Sequence, residues 1–159
     1  MEIDGKELYA EASENATSVK TRYFFHSLAK DEERHLSIIE KVVEGLGVDV
    51  DEMPLPSDRM QTVFSQISTE DIAELAATSE EKDAIDMALE MEKKSYDLYE
   101  RAAEEAESDQ EEKLLERLKL QENQHYEMLQ NTAEYLNDNH KWFLDQENGL
   151  LTGDMSSLG

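Results

Sequence analysis

The sequence predicts an all-α fold, a four-helix bundle made of two helical hairpins. Long stretches repeat apolar residues at intervals of three and four, as one face of an α-helix requires. A Glu-x-x-His motif occurs twice, at Glu32–His35 and Glu122–His125, ninety residues apart. A glutamate precedes each motif by thirty residues, Glu2 in one case and Glu92 in the other. The chain is therefore interpreted as two copies of one hairpin.

The first hairpin is predicted to span residues 1–46. Its first helix covers residues 1–16, and a break follows around Ala16–Ser18. The second helix ends near Gly45, where Gly45-Leu46-Gly47 is a typical stop signal. The residues expected to face partner helices are Glu2, Gly5, Tyr9, Ala12 and Ala16 on the first helix, and Phe25, Leu28, Glu32, His35, Ile39 and Val42 on the second.

Residues 47–78 are predicted to form a long crossover between the second and third helices. Pro54 and Pro56 exclude a continuous helix there. Two short helical pieces are expected near 58–66 and 69–77. The length of 159 residues is typical of one domain, so we interpret residues 1–159 as a single domain in which this region is a crossover.

The second hairpin is predicted over residues 79–137. Thr78 with Glu81, and Ser108 with Glu111, have the form of capping boxes that open its two helices. The inward residues are Ile85, Ala88, Glu92, Ser95, Tyr99, Ala102 and Ala106, followed by Leu115, Leu118, Glu122, His125, Leu129, Thr132 and Leu136. The tail, residues 138–159, carries two aromatic residues and is expected to dock a short C-terminal helix on the bundle and to fray after Gly153.

Charge and composition exclude several classes of function. The net charge is −24, from 39 acidic and 15 basic residues, which disfavours nucleic acid and anionic membranes as partners. The absence of cysteine excludes disulfides, zinc–thiolate sites and rubredoxin-type iron sites. No apolar run reaches the length of a membrane span, and the N-terminus lacks the features of a signal peptide. We therefore expect a cytoplasmic protein.

The repeat also predicts a site in the bundle interior. The midpoints of the two glutamate pairs, residues 17 and 107, fall at the predicted turns, so each carboxylate lies roughly 22 Å from its turn, at a common height. The histidine of a Glu-x-x-His shares a helix face with its glutamate. Four clustered carboxylates are costly to bury unless cations neutralise them. Two iron or manganese ions fit this ligand set, and a purely structural polar layer is the alternative.

Small and aromatic residues flank the predicted layer. Gly5 and Ser95 lie one turn from Glu2 and Glu92, where they either leave room for water, dioxygen or peroxide or allow close helix packing. Tyr9 and Tyr99 follow these glutamates by seven residues. They are candidate catalytic residues, as donors to the ligands or as redox-active groups, although a core tyrosine with a satisfied hydroxyl is the alternative.

The paired patterns Glu2…Tyr9…Glu32-x-x-His35 and Glu92…Tyr99…Glu122-x-x-His125 resemble the rubrerythrin-like branch of the ferritin-like diiron-carboxylate superfamily. The resemblance covers residues 1–46 and 79–137. It implies a ferritin-like bundle and two bound iron ions, with manganese or zinc as alternatives. The ligands it implies are Glu2, Glu32, His35, Glu92, Glu122 and His125. The chemistry it implies is reaction of diferrous iron with hydrogen peroxide or dioxygen.

Three departures from the family pattern bear on function. Rubrerythrins carry a rubredoxin domain, which a chain without cysteine cannot form. They also have a glutamate three residues after the third-helix ligand, where this chain has Ser95. The third departure is that Glu2 stands almost at the chain start.

We expect a diiron oxidoreductase served by an external electron donor. The alternatives are a non-catalytic iron protein for storage, delivery or sensing, and a bundle without metal. The first helix and the aromatic tail favour a homodimer.

Overall fold

The computed structural model describes residues 2–45, 47–50, 53 and 79–152. These residues form four helices, α1 (Glu2–Asn15), α2 (Val19–Val43), α3 (Ser79–Glu104) and α4 (Asp109–Thr152), and contain no strand. Helix α1 packs on α2, α3 packs on α4, and α1 also packs on α3. The predicted all-α four-helix bundle is confirmed. The helical pieces predicted near 58–66 and 69–77, and the fraying after Gly153, lie outside the described residues.

Hydrogen bonds from side chains define the two hairpin turns. Ser108 Oγ accepts from the backbone N–H of Glu111 at 3.2 Å, which confirms the predicted cap of α4. The Glu111 carboxylate accepts from the N–H of Glu107 at 2.9 Å, one residue before the cap. In the first hairpin, the backbone N–H and hydroxyl of Thr17 donate to Glu81 Oε1 at 3.0 and 3.1 Å. Glu81 thus ties the α1–α2 turn to the start of α3, while Thr78 lies outside the described residues.

Helix α4 is longer than the sequence predicted. It continues without a break through Asn137 to Thr152, where a helix end and a separate short C-terminal helix were expected. The segment contains no proline and one glycine, Gly149, so nothing in the backbone chemistry stops the helix near Asn137. Its 44 residues give a length of about 66 Å, against about 39 Å for the 26 residues of α3. Helix α4 is therefore longer than its partner helix α3.

The core has two apolar clusters with a polar layer between them. The residues of the first cluster are Tyr9, Ala12, Phe24, Phe25, Leu28, Ile85, Ala88 and Leu129. The residues of the second cluster are Met53, Tyr99, Leu114 and Leu118. On α4, the Glu-x-x-His motif lies between Leu118 of the second cluster and Leu129 of the first, so apolar layers close the site from both ends.

The predicted inward residues are buried near the middle of the bundle and less so at the helix ends. Val42, in the last turn of α2, is 40% exposed, so the buried face predicted for that helix does not extend to its end.

Arg117 of α4 donates to the backbone carbonyl of Met53, which attaches this crossover residue to the bundle. Within the described part of the chain, no helix is both long and apolar enough to cross a bilayer.

Candidate metal centre

The polar layer of the bundle interior is built from three helices. Helix α2 supplies Glu32 and His35, α3 supplies Glu92, and α4 supplies Glu122 and His125, and all five side chains are at most 2% exposed. One ligand atom from each of Glu32, Glu92, Glu122 and His125 lies within 4.8 Å of the others. The structure thus brings together five of the six sequence-predicted ligands. The sixth, Glu2, begins α1, and its side chain lies outside the described part of the structure.

Each histidine faces the glutamate of the other Glu-x-x-His motif. His35 Nδ1 lies 2.9 Å from Glu122 Oε1 and 3.4 Å from Glu32 Oε2. His125 Nδ1 lies 3.2 Å from Glu32 Oε1 and 4.0 Å from Glu122 Oε2. The two rings lie 5.7 Å apart between centroids, with an angle of 23° between their planes. Both Nδ1 atoms therefore point at the same two carboxylates, as the ninety-residue repeat requires.

Several polar atoms of this layer are buried without a hydrogen bond. His125 Nδ1, Glu92 Oε2 and both carboxylate oxygens of Glu122 are in this state. Buried polar groups left in this way normally cost about 1–3 kcal/mol each, and more when charged. A divalent cation coordinated by these atoms removes that cost. The donor set of carboxylate oxygens and imidazole nitrogens fits iron, manganese or zinc.

The charges of the layer are strongly coupled. Burial raises the pKa of Glu122 well above its ordinary value; the contact with His35 opposes this shift, and the negative charge of Glu32 reinforces it. Burial also acts to raise the pKa of Glu92, but the positive charge of His125 and the hydrogen bond from Tyr9 bring that pKa below its ordinary value. In the metal-free protein the layer reduces its negative charge by keeping protons.

His125 holds one of those protons. Burial acts to lower the pKa of its imidazole, yet the negative charge of Glu92 and the contacts with Asp31 and Glu32 raise that pKa well above the usual value. The surrounding carboxylates thus favour the protonated ring in the metal-free protein. A cation that binds at Nδ1 has to displace that proton.

Tyr9 connects the two hairpins at this layer. Its hydroxyl donates a hydrogen bond to Glu92 Oε1, and its side chain is fully buried. Burial and the negative charge of Glu92 raise the pKa of the Tyr9 phenol well above 10.0, so it remains a donor. Its repeat equivalent, Tyr99, is buried in the second apolar cluster. The catalytic roles of both tyrosines stay predictions.

Gly5 of α1 lies against the layer with no spare room. A Cβ at this position would lie 3.1 Å from Met91 Cε and 3.3 Å from Glu32 Cγ. Of the two interpretations of the small residues, the structure supports close helix packing at Gly5. Its repeat equivalent, Ser95, is also buried.

Asp31 contacts the layer but is not among the residues predicted from the sequence. This aspartate is 4% exposed, its Oδ2 lies 3.3 Å from His125 Nε2, and Arg34 donates to its Oδ1. It occurs in the charged run Asp31-Glu32-Glu33-Arg34, which is typical of a solvated helix face. The feature of the sequence that could have indicated a role for Asp31 is its position directly before the predicted ligand Glu32, on the same helix turn.

The comparisons with known proteins agree with this geometry. The family model described as rubrerythrin matches residues 1–133. No curated protein and no solved structure matches the chain significantly. The match covers most of the chain, including all four helices up to residue 133 of α4 and every member of the buried layer. The chain belongs to the rubrerythrin family.

Proposed function

We propose that this protein is a non-haem diiron oxidoreductase that reduces hydrogen peroxide or dioxygen. The observation that supports it is the buried layer in which carboxylate oxygens and an imidazole nitrogen face one another without hydrogen bonds. The residues proposed to hold the two metal ions are Glu2, Glu32, His35, Glu92, Glu122 and His125. Iron is the proposed metal, with manganese or zinc as alternatives.

The contacts of the layer suggest a role for each ligand. Glu32 and Glu122 each place one carboxylate oxygen within 4.0 Å of His35 Nδ1 and the other within 4.0 Å of His125 Nδ1, so both carboxylates would help to hold both ions. Glu92 lies 3.5 Å from His125 Nδ1 and suits a terminal ligand on that side. By the repeat, Glu2 takes the same role beside His35. Bound iron would supply the electron-transfer chemistry, and the chain supplies ligands, proton donors and apolar clusters that close the site at both ends.

Tyr9 has two functions in this proposal. Its hydroxyl orients the Glu92 carboxylate through the hydrogen bond to Oε1, and its raised pKa keeps a proton beside the layer near neutral pH. The apolar cluster that contains Tyr9 excludes water from one end of the site. We propose the equivalent place for Tyr99 at the other end.

Electrons have to come from an external donor, because a chain without cysteine provides no rubredoxin-type iron site. A cytoplasmic location is part of the proposal and is supported by the absence of cysteine. A homodimer is also proposed, and sedimentation velocity is its test.

One observation favours a second candidate, a non-catalytic iron protein for storage, delivery or sensing. Rubrerythrins carry a further glutamate where this chain has Ser95, and Ser95 is buried one turn from Glu92. A serine hydroxyl is a poor substitute for a carboxylate as an iron ligand. The site therefore has one carboxylate fewer than the peroxidases of its family.

Turnover separates the two candidates. The protein is loaded anaerobically with ferrous iron, and hydrogen peroxide is added in excess with a chemical reductant. An oxidoreductase consumes many equivalents of peroxide per chain, whereas a storage or sensing protein oxidises its iron once and stops. His125→Ala, which lacks a proposed ligand, is the control for peroxide consumed by loosely bound iron.

A further inference from the structure

The imidazole of His125 is held on both sides by anionic groups. Its Nδ1 faces the carboxylate layer, while its Nε2 lies 3.3 Å from Asp31 Oδ2. The other oxygen of Asp31 accepts from Arg34, one turn along α2. Asp31 is 4% exposed and His125 is fully buried, so water does not compete for this contact. The Asp31–Arg34 pair thus holds the orientation of the ring from outside the layer.

The second copy of the hairpin lacks this pair. A shift of ninety residues takes Glu32 to Glu122 and His35 to His125, but it takes Asp31 to Gln121 and Arg34 to Gln124. Gln121 is buried to the same extent as Asp31, at 4% exposed. The two Glu-x-x-His motifs therefore have identical ligands. The residue directly before the motif is a carboxylate in the first copy and a neutral amide in the second.

A carboxylate on the outer nitrogen of a metal-binding histidine makes the ring a stronger donor and holds its orientation. Loss of such a partner typically lowers metal affinity about 10–100-fold. A glutamine at the equivalent place has no negative charge to contribute. By the repeat, we expect the amide of Gln121 at the place beside His35 that the carboxylate of Asp31 has beside His125.

We propose that the two metal positions have unequal affinities, and that Asp31 makes the position served by His125 the tighter one. The first divalent cation then binds at His125 and the second at His35. Asp31 acts as a positioning residue, through His125 and without contact to the metal. This inference rests on the proposed function, because it requires a dimetal site.

Anaerobic titration of the full chain with Co²⁺, followed by calorimetry and by visible absorption, tests the proposal. The wild-type protein is expected to bind in two steps that differ at least about tenfold in affinity. Asp31→Asn keeps the size of the side chain and removes its charge, and it is expected to weaken the tighter step about 10–100-fold while leaving the other unchanged. Asp97→Asn, an exposed change on α3, is the matched control.

Two further variants assign the steps even if Asp31→Asn does not fold. His35→Ala is expected to keep the tighter step, and His125→Ala is expected to lose it. Gln121→Glu, which places a carboxylate at the repeat-equivalent position, is expected to strengthen the weaker step.

Three results would overturn the proposal. These are two equal binding steps in the wild type, an unchanged tighter step in folded Asp31→Asn, and retention of that step in His125→Ala. None of these results contradicts the proposal that the layer binds two metal ions. If the wild type binds no Co²⁺, the proposed function fails, and this inference fails with it.

Discussion

Replacement of Glu122 by glutamine is expected to stabilise the metal-free bundle and to remove its dimetal site. Glu122 is 1% exposed, and a ligand atom of each of Glu32 and Glu92 lies within 4.8 Å of its carboxylate. Two unit charges at 4.8 Å repel each other by about 3.5 kcal/mol at an effective dielectric constant of about 20. Glutamine has nearly the same shape and no charge, so the change removes this repulsion.

The net gain is smaller than the repulsion of one pair. His35 Nδ1, 2.9 Å from Glu122 Oε1, compensates part of the charge, and the raised pKa of Glu122 lets a proton compensate more. We expect a net stabilisation of about 1–3 kcal/mol in the metal-free state, the part of the repulsion that remains after this compensation. For a chain of this size, each kcal/mol raises the melting temperature by about 2–4 °C.

Urea and thermal unfolding after chelation measure this effect, with Glu112→Gln, an exposed change on the same helix, as the control. Added metal should reverse the order of stability, since a ligand at 100 times its Kd stabilises the wild type by about 2.7 kcal/mol. The Glu122→Gln variant should gain much less. A metal-free Glu122→Gln variant that is less stable than the wild type would refute the expected relief of repulsion. A variant that still binds two metal ions per chain would refute the role of Glu122 as a ligand.

Three further outcomes are expected. Because His125 keeps a proton in the metal-free protein, Zn²⁺ binding should release protons at pH 7, and its affinity should rise between pH 5.5 and 7.5. Tyr9→Phe removes the donor to buried Glu92 and should cost about 1–3 kcal/mol in urea unfolding. Gly5→Ala should change stability by less than about 1 kcal/mol, since helix propensity offsets crowding, but should weaken metal binding by displacing Glu32.

These three expectations have separate controls. Affinity for Zn²⁺ that does not vary with pH contradicts the proton on His125. Tyr23→Phe, at a side chain that is 57% exposed, should leave stability unchanged, and an equal loss in both tyrosine variants removes the argument for Tyr9. Unchanged metal affinity in Gly5→Ala means that Glu32 tolerates the added methyl group.

The sequence predicted the hairpins and the layer because a repeat restricts both. The spacing of 3 and 4 residues identified the inward face of each helix, and the burial of Tyr9, Leu28 and Leu129 follows it. The common height of the glutamates followed from helix rise alone. The Ser108 cap could be predicted because its hydrogen bond is local in sequence.

Other features depend on contacts that the sequence does not encode locally. Asp31 belongs to α2 but contacts His125 of α4, so its burial becomes visible only when the hairpins pack. Glu81 accepts hydrogen bonds from Thr17 of the α1–α2 turn, a contact between hairpins that the local capping pattern does not predict, for the same reason. The prediction of a separate C-terminal helix was wrong because no helix breaker separates the aromatic residues of the tail from α4, which continues to Thr152.

The central claim is that the buried layer is a dimetal site, and anaerobic loading with ferrous iron tests it most directly. Iron per chain is measured after removal of free metal, and hydrogen peroxide is then added while near-ultraviolet absorption is followed. Two irons per chain, a ferric absorption band on addition of peroxide, and loss of both in Glu122→Gln are the results expected. Absence of stoichiometric iron in the wild type, or iron uptake that Glu122→Gln and His125→Ala leave unchanged, would contradict the account.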